Sequence, residues 1–211
     1  DEGVPSLTLS VDNATVPENG GVATLTATID IASGKNITVK LSLSGTATLT
    51  DDFTPPTDSI VIYAGQLTGT SLLSAVSEGV YEPDETIIVD VASVVDGAAT
   101  ETGTQQVTVT INDANTLPTV SLMVSSDTVT EGGSVIVTAT LSAPSSIDVV
   151  VDYTLAGTAI SGVGNDYTVA SSTITISAGA PWGKLTINAW DDTDVEPYET
   201  IAVSINTLTG A

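Results

Sequence analysis

VPSLTLSVDNATVPENGG, residues 4–21, returns in altered spelling as LPTVSLMVSSDTVTEGGS, residues 117–134. In both, apolar and hydroxyl residues alternate with period two, which is the pattern of a strand with one buried face. A polar break follows, and then a Gly-containing turn carrying a single carboxylate. Glu18 falls on Glu131 at an offset of 113. Working outward, SGTATLTDDFT (44–54) aligns with AGTAISGVGNDYT (156–168), which sets Phe53 on Tyr167. EPDET (82–86) aligns with EPYET (196–200) at an offset of 114. A period above one hundred residues marks a domain occurring twice, not a solenoid of short repeats. The expected domains are residues 1–115 and 116–211.

Each unit reads as strands throughout. In the first they are SLTLSV, VATLTATI, NITVKLSLSG, SIVIYA, TSLLSAV, ETIIVDVASV and QQVTVTIND, lettered A to G, with Gly, Asn, Asp and Pro between them. No stretch shows a helical period with caps. Seven short strands in about 110 residues predict an all-β chain of two tandem immunoglobulin-like antiparallel sandwiches. The second unit reaches TIAVSINTL and shows nothing like GTQQVTVTINDAN, so it is expected to lack strand G. Either the segment was cut there, or a strand from elsewhere fills the gap, since an open edge exposes unpaired backbone groups.

Composition limits the function. Against 26 Asp and Glu the chain has three cationic residues, Lys35, Lys40 and Lys184, and a formal charge of −23. Nucleic-acid backbones and anionic membrane surfaces both require clustered cations, so neither is expected as a partner. With 41% hydrophobic and 14% charged residues a core can form, which argues against disorder. No apolar run approaches the roughly 20 residues of a membrane helix. The absence of Cys removes disulfides and thiol chemistry. Beginning at Asp1 without Met or a leader, the sequence reads as a processed or excised segment. Its Thr, Ser, Gly, Val and Asp content suits an extracellular or surface protein.

The acids are not scattered. AVSEGVYEPDET (75–86) and AWDDTDVEPYET (189–200) place acidic runs in the same frame of the two units. In an up-and-down sandwich, loops A–B, C–D and E–F share one end with the exit of G. That pole of the first unit collects Glu18, Asp51, Asp52, Glu78, Glu82, Asp84, Glu85 and Asp113. In the second it collects Glu131, Asp166, Asp191, Asp192, Asp194, Glu196 and Glu199. Ca2+ takes six to eight oxygen ligands in a flexible shell, which converging acidic loops can supply. Zn2+ is disfavoured without His or Cys, and Mg2+ relies more on waters and phosphates. The second unit has the fuller set, because Ser77 and Val80 stand where it has Asp191 and Asp194. The alternative is a set of solvated loops with no ion.

The spaced motifs VPENGG, SGTA, DDFT, EPDET and INDAN, and again VTEGG, AGTA, NDYT and DDTDVEPYET, resemble the Calx-beta domain. That family occurs in the regulatory region of sodium–calcium exchangers and, in many copies, in large bacterial surface proteins and adhesins. The resemblance covers nearly the whole chain. It implies a sandwich of two antiparallel sheets and, in calcium-binding members, ligands from these loops and from acids just past strand G.

The expected function is a calcium-binding structural module of an extracellular surface or adhesin protein, stiffened by Ca2+ at the loop ends and at the joint between domains. Neighbouring repeats or copies of the same chain are its expected partners. The alternatives are a filament subunit assembled by strand donation and a carbohydrate-binding adhesive module directed at a cell-surface or glycan target. Catalysis is not expected, since the acids form ion-like clusters and not one isolated pair in an aromatic cleft. Of the two tryptophans, Trp190 is expected to pack in the core with Leu185 and Ile187, and Trp182 to be exposed.

Overall fold

The computed structural model describes residues 3–95, 99–193, 195 and 197–211. The chain forms two compact units, one of Asp1–Glu78 with Pro83–Ala114 and the other of Gly79–Glu82 with Asn115–Ala211. The first contains β1 (Ser6–Val11), β2 (Thr15–Pro17), β3 (Val22–Ile29), β4 (Ile37–Gly45), β5 (Phe53–Thr54), β6 (Ser59–Ile62), β7 (Thr68–Ala75), β8 (Glu85–Val95), β9 (Thr100–Glu101) and β10 (Gln106–Asn112). Two sheets result, in the orders β5-β7-β3-β1-β9 and β2-β10-β8-β4-β6.

Period-two alternation builds the core. In β3, Ala23, Leu25, Ala27 and Ile29 are buried while the threonines between them face outward. Leu7 and Leu9 of β1 stand opposite Ile29 and Ala27. The other sheet contributes Ile37, Val39, Ile60, Ile62, Ile87, Val89, Val109 and Ile111 to the same cluster. Each such side chain contributes roughly 1.5–3 kcal/mol by leaving water.

The segment read as strand A is divided between the sheets. Asp12 Oδ1 accepts the backbone N–H groups of Asn13 and Thr24, both at 2.7 Å, which bends the chain after β1. These bonds, that from Thr24 foremost, hold the Asp12 carboxyl below its ordinary pKa. The chain then enters the second sheet as β2, which pairs in parallel with β10. Pro17, with no N–H to offer, is tolerated because β2 is an edge strand.

The connectivity is not up-and-down. The chain changes sheet at every step from β1 to β10. The long strands pair antiparallel, while the short strands β9 and β2 pair in parallel with β1 and β10, and the expected sharing of one end by alternate loops survives.

The second unit contains β11 (Val120–Val124), β12 (Ser134–Leu141), β13 (Val149–Gly157), β14 (Tyr167–Val169), β15 (Thr173–Ile176), β16 (Trp182–Ala189) and β17 (Ile201–Thr209). Its sheets run β11-β12-β16-β14 and β15-β13-β17. Among the described residues neither β2 nor β10 has a counterpart here. The two absences are linked, because β2 is held by β10. Leu185 and Ile187 are buried as expected, but Trp190 is 37% exposed. The inward parity of β16 runs through residues 183, 185 and 187, so residue 190 falls on the other parity, past the strand end. Trp182 is 48% exposed, and the Lys184 ammonium lies 4.3 Å from its ring centroid.

Candidate metal centre

Three loops and the exit of β10 meet at one pole of the first unit. The loop between β4 and β5 is fixed by Asp52. Its N–H donates to Thr48 O at 3.0 Å, and its Oδ2 accepts the Thr48 N–H. Buried Phe53 pairs with Ala75 at the end of β7, and Val76 N–H donates to Asp52 O at 2.8 Å. These contacts set the Asp52 carboxylate beside the loop that follows β7.

Glu18 fastens the remaining pieces. Its N–H donates to Asn112 O at 2.9 Å, Oε1 accepts the Glu78 N–H at 3.2 Å, and Oε2 accepts the Ala114 N–H at 3.2 Å. A carboxylate at 4% exposure is tolerable because backbone donors solvate it. Farther along, Asp84 accepts the Asn112 side-chain amide at 2.6 Å and the Asp113 N–H at 3.4 Å.

One carboxylate oxygen from each of Asp52, Glu78 and Glu82 lies within 4.8 Å of the others. Asp52 is 6% exposed, Glu82 half-buried and Glu78 exposed, so the cluster opens to solvent on one side. Two oxygens on opposite sides of a Ca2+ ion, each about 2.4 Å from it, are about 4.8 Å apart. The spacing therefore fits oxygens sharing one ion. The other acids expected in this unit stand outside the three-carboxylate group. Asp51 is exposed beside Asp52, Glu85 begins β8 opposite Ile111, and Asp113 follows β10 with its N–H on Asp84.

The loops of the second unit converge in the same way. Asp166 N–H donates to Ile160 O at 3.1 Å, its Oδ2 accepts the Ile160 N–H at 2.5 Å, and Trp190 N–H donates to Asp166 O at 2.9 Å. This repeats the bonding of Asp52. Gly132 packs against Asp191, whose Cβ would lie 3.5 Å from a Cβ placed on the glycine. Glu131, Asp191, Asp192 and Glu199 are exposed. Asp194 and Glu196 lie outside the described residues. Among the described residues the cluster is therefore that of Asp52, Glu78 and Glu82, in the repeat with fewer acids in the run after the fifth lettered strand.

The sequence reading did not anticipate the anchoring roles of Asn112 and Thr48. The four-residue spacing of Thr48 and Asp52 within a polar turn was the available signal.

A two-sheet sandwich that gathers carboxylates from alternate loops at one pole, and occurs twice in tandem, defines a class of domain. The chain belongs to the Calx-beta domain family, whose model matches residues 1–115 and again 113–211. Among solved structures it is similar to CBD12 from CALX1.2, at 14% identity and a TM-score of 0.46, over 96% of this chain and 80% of that one. It is also similar to the apo-form Calx CBD1 domain, at 19% identity and a TM-score of 0.43, over 52% of this chain and 98% of that one. No curated protein matches the chain.

Proposed function

We propose that the chain is a calcium-binding structural module of a secreted or cell-surface protein, with the carboxylates of Asp52, Glu78 and Glu82 as its ion site. The observation that carries this reading is the mutual approach of the Asp52, Glu78 and Glu82 carboxylates to within 4.8 Å. Two like charges at that separation repel by about 3 kcal/mol at an effective dielectric of about 20. The chain has three lysines against 26 acids, and none lies in the loops of this pole. A divalent cation turns that repulsion into bridging, with backbone carbonyls and waters completing the shell. Membership of the Calx-beta family, whose domains bind Ca2+ in other proteins, supports the same ion.

The effect of the ion is mechanical. The segment leaving β10 is already tied to the pole through Ala114, Asp113 and Asn112. Calcium there holds the loops against one another and fixes the path of that segment. Extracellular modules bind Ca2+ with dissociation constants on the order of 0.1–1 mM, which suits a calcium-rich exterior. A site at 100 times its dissociation constant adds about 2.7 kcal/mol to the folded state.

Calcium titration by calorimetry, with thermal melting in chelator and in millimolar Ca2+, tests the reading. A saturable heat and a raised melting temperature are expected, both reduced by Asp52→Asn and by Glu78→Gln. No heat and an unchanged melt would leave the acidic loops as solvated loops and the module as metal-independent.

A further inference from the structure

The two units differ in the segment between β5 and β6 and its counterpart between β14 and β15. Phe53 faces Ala75 as Tyr167 faces Ala189, and Val39 faces Ile60 as Val151 faces Ile174. The residues between those anchors are equal in number, so Pro56 and Ala170 occupy equivalent positions. A turn common to both units fixes the same match. Thr57 Oγ1 donates to Ser59 O at 2.8 Å, as Ser171 Oγ donates to Thr173 O at 2.9 Å. Pro56 is buried, whereas Ala170 is exposed. On the facing strand the register slips at the same place in each unit, which sets Tyr153 where the first unit has Leu41.

At Ala170 the second unit has a cavity of about 550 Å3, within the range of roughly 300–1,000 Å3 usual for small-molecule sites. It lies beyond the end of β15, which covers β13 only over Val149–Asp152. Tyr153 and Leu155 of β13 and Tyr167 and Val169 of β14 line it, with Ser171 and Ser172 from the segment that follows. Ser161 joins them from the β13–β14 loop, which has nine residues (158–166) against seven (46–52) in the first unit. Proline fills in the first unit the position that alanine leaves open in the second.

We propose that this cavity binds a neutral pyranose sugar. Five of its eight lining residues carry hydroxyls, and among the described residues none of those lining it is charged. A charged ligand would leave water without a counter-ion, and an anion would also meet the field of a chain with a net charge of −23. A wholly apolar ligand would strand the hydroxyls. A pyranose answers both demands, with a C–H face for the phenol rings and Leu155 and a rim of hydroxyls for the tyrosine and serine oxygens. The Tyr153 hydroxyl donates to Ser171 O, which ties β13 to the segment before β15. That ring is therefore held in place before a ligand arrives, with its oxygen left to accept a hydrogen bond. Ser161 and Ser172 are exposed at the mouth, where their hydroxyls turn to suit the sugar.

The experiment titrates the full, isotopically labelled chain in chelator with the methyl glycosides of glucose, galactose and mannose, and follows the amide NMR signals of Tyr153, Ala170 and Ser172. Saturable shifts with at least one of the three are expected, at a Kd on the order of 1–10 mM for a single small ring. Ala170→Pro gives the second unit the first unit's residue and should weaken that binding roughly tenfold or more, with the melting temperature unchanged or raised. Tyr153→Leu likewise installs the first unit's residue and should weaken binding to a similar extent. No shift at these amides with any of the three glycosides at about 100 mM would overturn the proposal. So would undiminished binding by either variant. Choline or glucuronate shifting the same amides at lower concentration than the sugars would overturn it too, because the site would then select a charged ligand. No acid of either loop pole lines the cavity, so the result in chelator is separate from that of the calcium titration.

Discussion

Glu18 and Ala114 are 96 residues apart, and the Ala114 N–H donates to Glu18 Oε2 at 3.2 Å. This bond and the one from Glu78 make a nearly buried carboxylate the clasp of the first unit's acidic pole.

Replacing that clasp should be costly, and replacing its counterpart should not. Glu18→Ala leaves two backbone donors without their acceptor and is expected to destabilise the first unit by about 2 kcal/mol. For a domain of this size that is a fall of roughly 10 °C in melting temperature. Glu131→Ala removes an exposed side chain and should stay within about 0.5 kcal/mol. Calorimetric melts of both variants in chelator check the contrast, and equal losses would contradict it.

A second contrast tests the less enclosed core of the second unit. Ile87→Ala empties a fully enclosed position and should cost about 3–4 kcal/mol, including the cavity left behind. Ile201→Ala acts at the matching position of a half-buried strand, where solvent takes up the space, and should cost about half as much. Urea denaturation of both variants gives the two values.

The glycines at the ends of β4 and β13 should tolerate no side chain. Gly45 and Gly157 have φ of 125° and 134°, and a Cβ would sit 2.1 Å from Thr86 O and 1.9 Å from Thr200 O. Both strain and collision oppose Gly157→Ala, with an expected loss of more than about 2 kcal/mol. Circular dichroism melts measure it, and a neutral outcome would show that the strand end shifts freely. These two glycines belong to the motifs SGTA and AGTA by which the repeat was aligned. Their recurrence has a local steric cause.

Much of the fold was legible because period-two alternation fixes which face of a strand is buried, and because the chain states it twice. Phe53 and Tyr167, aligned on sequence, are the buried anchors that carry Asp52 and Asp166 to the strand ends. Other features depended on tertiary pairing. The split of the first strand into β1 and β2 needs the Asp12–Thr24 bond, which joins residues on two strands. Trp190 stays out of the core because its parity past the end of β16 outweighs its hydrophobicity. At the acidic pole, the convergence of loops followed from strand count. Which carboxylates come within ligand distance depends on side-chain anchors such as Asn112 that carry no pattern of their own.

Tyr153 sets the alkaline limit of the second unit. Its hydroxyl donates to Ser171 O, and burial, with the nearby Tyr167 phenol adding to it, raises its pKa above the ordinary value near 10. Below pH 10 the phenol is neutral in the folded and unfolded chains, and its ionisation contributes nothing to the pH dependence. As pH rises past about 10 the unfolded chain loses this proton while the folded chain keeps it, so the folded state binds more protons and stability falls. The fall continues until the raised folded pKa is passed. Tyr153→Phe removes the hydrogen bond, at about 1 kcal/mol near neutrality, and removes this alkaline loss as well. Urea midpoints at pH 7, 9, 10 and 11 should show the variant below the parent at pH 7, with the gap narrowing above pH 10. A gap that stays constant across the series would mean that the Tyr153 phenol titrates alike in the folded and unfolded chains.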